Sequence, residues 1–429
     1  MPRTRSTKIA AVVAAGVLLA AACGSDDDKK DSSKSTGSPT AATSAATSAA
    51  TSAATSGSAA TSAAPSPAAS TAAITPKGFT PPKLDALKEL GPGEGKVNIV
   101  AWAGYVENGS TDPKVDWVSP FEKETGCKVN VKVGATSDEM VALMKTGEYD
   151  VVSASGDASL RLIAGGDVEP INTALIPNYP DIFDGLKAQP WNSVNGVPYG
   201  IPHGRGANLL MYRTDLVTPA PDSWGVVFDA NSPYKGKVTA YDSPIYIADA
   251  ALYLMATKPE LGIKSPYALD DKQFEAAIGL LKTQNAVIGE YWGDYLKLIQ
   301  AFKSKDTVVG TAWQIIANVA KADKAPVEVV LPKEGATGWS DTWMIGAKAK
   351  NKTCAYKWAN HIASPAANAQ ATEYFGEAPS NKKSCALTAD KDHCKTYHAE
   401  DEEYFKQIWY WTTPIKECVD GRTDVTCKD

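Results

Sequence analysis

Apolar positions along this chain change rhythm twice. They run unbroken from Ile9 to Ala22, lose all period from Asp26 to about Thr75, and beyond Pro82 fall into alternating strand-like and helix-like spacings. Val97-Asn98-Ile99-Val100-Ala101-Trp102 reads as a buried strand, and Lys128 to Val133 alternates as a second. Ser137 is suited to cap a helix over Asp138–Lys145, with Met140, Leu143 and Met144 on one face. Tyr149-Asp150-Val151-Val152 reads as a third strand. Farther on come a strand over Val238–Tyr241, helices over Ile245–Ala256 and Asp271–Gln284, and a strand over Thr307–Ala312. Strands alternating with helices imply an α/β fold with parallel sheets. The roughly 340 residues after Pro82 exceed one ordinary core and suit two lobes.

Composition gives the first 80 residues a different meaning. Arg3, Arg5 and Lys8 precede the Ile9–Ala22 run, and Cys23 follows its small residues directly. A basic start, a short apolar stretch and small residues before a cleavage point form a secretory signal. The run is too short to span a bilayer comfortably. Residues 1–22 are therefore expected to be a lipoprotein signal peptide, with Cys23 as the lipidated first residue of the mature chain. Ala20 stands three places before that cysteine, with Leu19 one place further back. Residues 23–80 are rich in Ala, Thr and Ser and have no apolar face to bury, so burial cannot offset the cost of ordering them. A flexible tether of that length reaches roughly 40 Å. Removing the three basic residues of the signal takes the formal charge from −6 to about −9. An exported acidic protein is a poor partner for nucleic acid and a fair one for cations.

Of seven cysteines, Cys23 is spoken for, which leaves an even six in an oxidising compartment. Proximity in sequence favours Cys385–Cys394 and Cys418–Cys427 as local bridges, with Cys127 and Cys354 paired or free and buried. His393 and His398 lie near Cys394, but their spacing matches no zinc signature, so neither a metal nor a cofactor is expected.

In parallel sheets ligands bind beyond the carboxyl ends of the strands. Applied here, that rule singles out Trp102 and Tyr105 after the first strand, Ser155 and Asp157 after the third, and Asp242 after Val238–Tyr241. It adds Trp313 after Thr307–Ala312, and Trp339 with Asp341 ahead of Thr342–Ile345. Aromatic faces attract cations at roughly 0.5–2 kcal/mol each, and a carboxylate among them pairs an ammonium. Lone aromatics are more often core, and Asp157 and Asp242 also suit helix caps.

The start Trp102-Ala-Gly-Tyr105, then Phe121-Glu-Lys-Glu-Thr-Gly126, Tyr149-Asp-Val-Val152 and Gly200-Ile-Pro202 resemble the spermidine/putrescine-binding proteins of ABC importers. So does Val329-Val-Leu-Pro-Lys-Glu-Gly335 leading to Trp339-Ser-Asp341. The likeness covers about Val97 to Asn381 and keeps the family's motif order. It implies a two-lobed periplasmic-binding-protein-like fold of type II, with a ligand cleft between the lobes. One lobe would be 81–207 with 341–378, the other 208–340 with 379–429. Crossings between them would fall near Gly206–Leu210, Gly338–Thr342 and Gly376–Asn381. By the same resemblance Trp102, Tyr105, Trp313 and Trp339 would sandwich a polyamine's methylenes, Ser155 would line the site, and Asp341 would pair an ammonium.

Three positions depart from the family pattern. Asp157 stands where an aromatic is usual. Asp242 is followed by Ser243, with Tyr246 in place of a second acid. Arg205, in His203-Gly-Arg-Gly206, takes a place often aromatic. An Arg in the cleft would repel a polyamine unless paired, for instance with Asp157, or would hold a ligand carboxylate with its planar fork. From Tyr404 to Pro414 the chain is aromatic-rich, where the family ends in a packed helix.

The reading is a monomeric, lipid-anchored substrate-binding protein at the outer face of the cytoplasmic membrane, in the periplasm or at the cell surface. It would deliver a polyamine to a permease driven by an ATPase, and would not itself be an enzyme. The alternatives are the same fold holding a zwitterionic or carboxylate-bearing metabolite through Arg205 and Asp341, and an exported hydrolase. The four histidines and the absence of Gly-x-Ser-x-Gly or His-Glu-x-x-His leave nucleophilic and zincin chemistry without their parts.

Overall fold

The computed structural model describes residues 80–110, 112–134 and 136–413. The signal, Cys23, the Ala/Thr/Ser-rich stretch to residue 79 and the Cys418–Cys427 pair lie outside them. The described chain opens with three strand–helix units: β1 (Lys96–Ala101), α1 (Val118–Thr125), β2 (Lys128–Val133), α2 (Ser137–Thr146), β3 (Val151–Ala154) and α3 (Gly156–Gly165). A small hairpin, β4 (Ser193–Val194) and β5 (Val197–Pro198), leads into β6 (Gly200–Ala207) and β7 (Leu209–Arg213), separated by Asn208 alone. Next come α4 (Gly225–Phe228), β8 (Val238–Tyr241), α5 (Ile247–Thr257), α6 (Asp271–Asn285) and β9 (Ile288–Trp292). They are followed by α7 (Tyr295–Ser304), β10 (Val309–Ala312), α8 (Gln314–Ala322) and β11 (Val327–Val330). The chain then runs through β12 (Ala336–Ile345), α9 (Lys352–Ile362), α10 (Pro365–Phe375) and β13 (Ala378–Pro379). It ends in α11 (His393–Thr396), α12 (Glu402–Phe405) and β14 (Ile408–Tyr410).

Two sheets organise these elements. The larger has the order β13-β6-β12-β3-β1-β2, with β14 beside β12; the smaller runs β11-β7-β10-β8-β9. Parallel pairing joins β1 to β2 and β3, and β8 to β9 and β10, as the βα pattern requires. The sheets are mixed, because β12 runs antiparallel to β3 and β6, and β7 antiparallel to β10 and β11. No helix intervenes between β6 and β7, so the chain carries straight from one sheet into the other at Asn208. It returns between Val330 and Ala336, ahead of the expected Gly338–Thr342, because β12 belongs to the larger sheet from its first residue.

Local chemistry explains the element ends. The cap of α2 is Thr136, whose hydroxyl accepts from the Glu139 N–H at 3.1 Å; Ser137 is already the first helical residue, one place off the expected cap. Asp270 and Gln273 form a reciprocal capping box at the start of α6. The larger sheet packs Trp343, Trp358 and Phe121 into one core, the smaller Phe228, Val238 and Leu210 into another.

The sulfurs of Cys385 and Cys394 lie 2.09 Å apart, the expected local bridge. Cys127 and Cys354, left open by the sequence, are also at bonding distance, 2.02 Å, and tie the start of β2 to α9.

Candidate functional site

Strand β12 lays Trp339 and Asp341 opposite Gly206 and Gly204 of β6. Those glycines are required by close approach. A Cβ on Gly206 would come within 2.1 Å of the Trp339 ring, and one on Gly204 within 2.4 Å of a Glu377 carboxylate oxygen. The His203-Gly-Arg-Gly206 motif is thus a floor over which an indole and two acids lie.

Tyr105 reaches this floor from the loop after β1 and is fully buried. Its hydroxyl donates to Asp341 Oδ2 at 2.8 Å and stands 3.4 Å from Glu377 Oε1. Glu377 Oε2 accepts from Trp339 Nε1 at 2.9 Å. His203 Nδ1 accepts from Trp343 Nε1 at 3.0 Å, while its Nε2 lies 3.5 Å from Glu377 Oε1.

Burial sets the charges here. It pushes the Asp341 carboxyl up to about 6, against the hydroxyls of Ser155 and Tyr105, which favour its ionised form. Burial, then the neighbouring Asp341 charge, raises Glu377 well above the carboxylate range. His203 is depressed to about 3 by burial and is neutral at physiological pH. Among the described residues no Lys or Arg pairs with either acid, and Asp341 Oδ1 has no hydrogen-bond partner there.

Around the acids stands an aromatic wall. The Trp339 ring is 5.6 Å from Trp313 and 6.0 Å from Trp411, and Trp313 is 5.0 Å from Trp292. Tyr241 closes the row 4.8 Å from Trp292. Trp313 comes from the smaller sheet's side and is fixed by donating Nε1 to Asn208 Oδ1 at 3.0 Å, so the residue at which the chain changes sheets also orients a wall residue. Asn208 in turn donates to Thr337 Oγ1 at 2.7 Å, and Thr337 to Asp249 at 2.8 Å.

The structure gathers Tyr105, Ser155, Trp313, Trp339 and Asp341 into this site. Trp102 is half-buried at the end of β1, its backbone N–H donating to Ser153 Oγ at 3.2 Å and its indole N–H without a partner. Asp157 sits in the first turn of α3; burial raises its carboxyl, and its charge in turn raises Asp341. Asp242 is exposed at the end of β8, its N–H donating to the Trp292 carbonyl.

Arg205 is elsewhere. It pairs in register with Ser340, one residue from Asp341, so its side chain leaves by the opposite face of the sheet. There Glu402 holds it at 2.7 and 3.3 Å, the Ala399 carbonyl accepts at 3.1 Å, and Phe405 lies 3.6 Å beneath the guanidinium.

Sequence reasoning missed Glu377, His203 and Trp411. Glu377 precedes β13 rather than following a strand's carboxyl end, so the strand-end rule does not reach it. Trp411 carried a signal in the aromatic-rich stretch from Tyr404. It takes its place because β14 pairs with β12 and the Trp411 N–H donates to the Gly338 carbonyl at 2.7 Å. Among the described residues, no group of three or more His, Cys, Asp or Glu is placed to hold a metal ion.

Comparison with known proteins bears on the family and the fold. The bacterial extracellular solute-binding protein family matches residues 116–399. The spermidine/putrescine-binding periplasmic protein of Escherichia coli K12 is 28% identical over 313 residues, 72% of this chain and 84% of that protein. Among solved structures, a spermidine/putrescine ABC transporter substrate-binding protein of Streptococcus pneumoniae superposes with a TM-score of 0.61 at 20% identity. That match covers 78% of this chain and 98% of the other. A lipoprotein of Treponema pallidum gives 0.62 at 18%, covering 76% and 96%.

Proposed function

Since this chain belongs to the bacterial extracellular solute-binding protein family, we propose that it is the substrate-binding component of an ABC importer and that its cargo is a polyamine. One observation carries the ligand class: Asp341, 3% exposed, keeps an unpartnered oxygen at the foot of a tryptophan wall. A carboxylate in that position gains most from an ammonium group, and Trp313, Trp339 and Trp411 supply faces for the methylenes and charges beyond it. The name of the Escherichia coli relative points the same way.

In this reading the lobes meet at the Asn208 crossing and close on the ligand by a hinge motion. Trp102, Ser155 and Asp157 line the first lobe's side of the cleft, and Asp242 lies at its outer rim. Cys23 carries the lipid anchor. The protein acts as a monomer outside the cytoplasmic membrane, handing ligand to a permease and its ATPase.

The zwitterion reading needs Arg205 in the cleft, and the bidentate Glu402 contact weighs against it. Intrinsic tryptophan fluorescence separates the two. Spermidine, spermine or putrescine should change the emission saturably in the wild type and in Arg205→Met, but not in Asp341→Asn. An amino acid that saturates the wild type and fails on Arg205→Met would favour the carboxylate ligand.

A further inference from the structure

Among the described residues, no Lys or Arg pairs with the acids of this site. Asp341 and Glu377 are 3% and 0% exposed, and one Tyr105 hydroxyl lies between them. That hydroxyl has a single proton and gives it to Asp341. Glu377 receives the Trp339 indole N–H instead, and the glycine at 204 leaves the space that its carboxylate fills. The unpartnered Asp341 Oδ1 is an independent sign that something outside the protein completes the group.

We infer that Glu377 is the second carboxylate of the ligand seat, joined to Asp341 through Tyr105, so that one ammonium end group binds against a pair of acids. This rests on the polyamine reading above and adds to it a residue and a proton count. The groups facing the pair are Tyr105, the neutral His203, Asp157, which raises Asp341, and Tyr397, which feels Glu377. His393 Nε2 meets the backbone carbonyl of Glu377 at 2.9 Å. None of these supplies a cation near neutral pH.

Two buried acids bridged by one hydroxyl titrate as a unit, and the ligand-free seat retains a proton. An ammonium ligand supplies the positive charge itself, so the seat releases that proton to the buffer as the ligand enters. Selectivity follows: a ligand whose end is a neutral amide or hydroxyl leaves the proton in place and gains no ion pair.

The test is titration calorimetry of spermidine near pH 6.5 in phosphate and in imidazole, whose ionisation heats differ. The pair predicts buffer-dependent heats equivalent to roughly one proton released per ligand. Glu377→Gln, which keeps an acceptor for Trp339, should bind at least about tenfold more weakly, the size of one lost charged contact, and release less proton. Spermidine binding with buffer-independent heats, or with wild-type affinity and proton release in Glu377→Gln, would overturn the pair. If no polyamine binds, the ligand reading fails by itself, and the pair is judged on ligand-free protein by carbon-13 carboxyl NMR. Asp341→Asn should move the Glu377 titration to lower pH; an unmoved Glu377 titration overturns the inference.

Discussion

Single side chains in this protein are costly where they are useful. Asp341 is held near pKa 6 and Glu377 well above its ordinary range because both are withdrawn from water. In the proposed function that cost becomes affinity when a cation arrives. Gly206 shows the steric side of the arrangement. Gly206→Ala would place a methyl 2.1 Å from the Trp339 ring, and overpacking of that kind costs about 1–3 kcal/mol. The variant should melt earlier than wild type and bind spermidine more weakly, because Trp339 loses its register with Glu377. Unchanged melting and affinity would mean that the floor of the site is looser than described. Arg205→Met should behave in the opposite sense, losing stability through the Glu402 and Phe405 contacts while retaining ligand, which a melt beside a binding curve reads directly.

Among secondary-structure elements, those predicted from period 2 and period 3.6 form where expected. They were legible because the signals are local: the apolar run of β1 leaves Val97, Ile99, Val100 and Ala101 fully buried, and the helical period of α2 buries Met140 and Met144, whereas the alternating β2 leaves Val131 and Val133 exposed. The site was only half legible. Tyr105, Trp339 and Asp341 sit at strand ends or beside family motifs, whereas Glu377 owes its position to the two-residue β13 and the gap above Gly204. No local pattern announces a contact 272 residues away in sequence. Arg205 misled for a related reason, since its partner Glu402 lies on α12, in a C-terminal stretch whose fold the pattern did not predict. The Cys127–Cys354 link, also non-local, closes a separation of 227 residues. Replacing both cysteines with alanine should cost roughly 2–5 kcal/mol by relieving that constraint on the unfolded chain. An unchanged denaturant midpoint would mean that the link contributes nothing to stability.

For the whole molecule, the buried acids tie stability to pH. Asp341 rises from 3.8 to about 6 and Asp249 from 3.8 to about 7 on folding. The folded state therefore binds more protons than the unfolded one, and their contribution is fully present below about pH 4 and lost as pH climbs through 6 to 7. His203, depressed from 6.5 to about 3, acts the other way: the unfolded chain takes up its proton first, so its contribution fades as pH falls below 6.5. Ligand-free Asp341→Asn should thus exceed wild type in stability by roughly 1–3 kcal/mol at pH 7 and approach it at pH 4. Cation binding draws on the same ionisations, so affinity for a polyamine should strengthen as pH rises through about 6 and keep strengthening for as long as the seat still has a proton to release. The central claim, that Asp341 receives a polyamine's ammonium between the two sheets, is tested most directly by calorimetric titration of spermidine into wild type and Asp341→Asn at pH 7.5. The structure predicts a saturable one-to-one isotherm for wild type that vanishes in the variant. No binding of spermidine, spermine or putrescine by the wild type, or equal binding by Asp341→Asn, would contradict it.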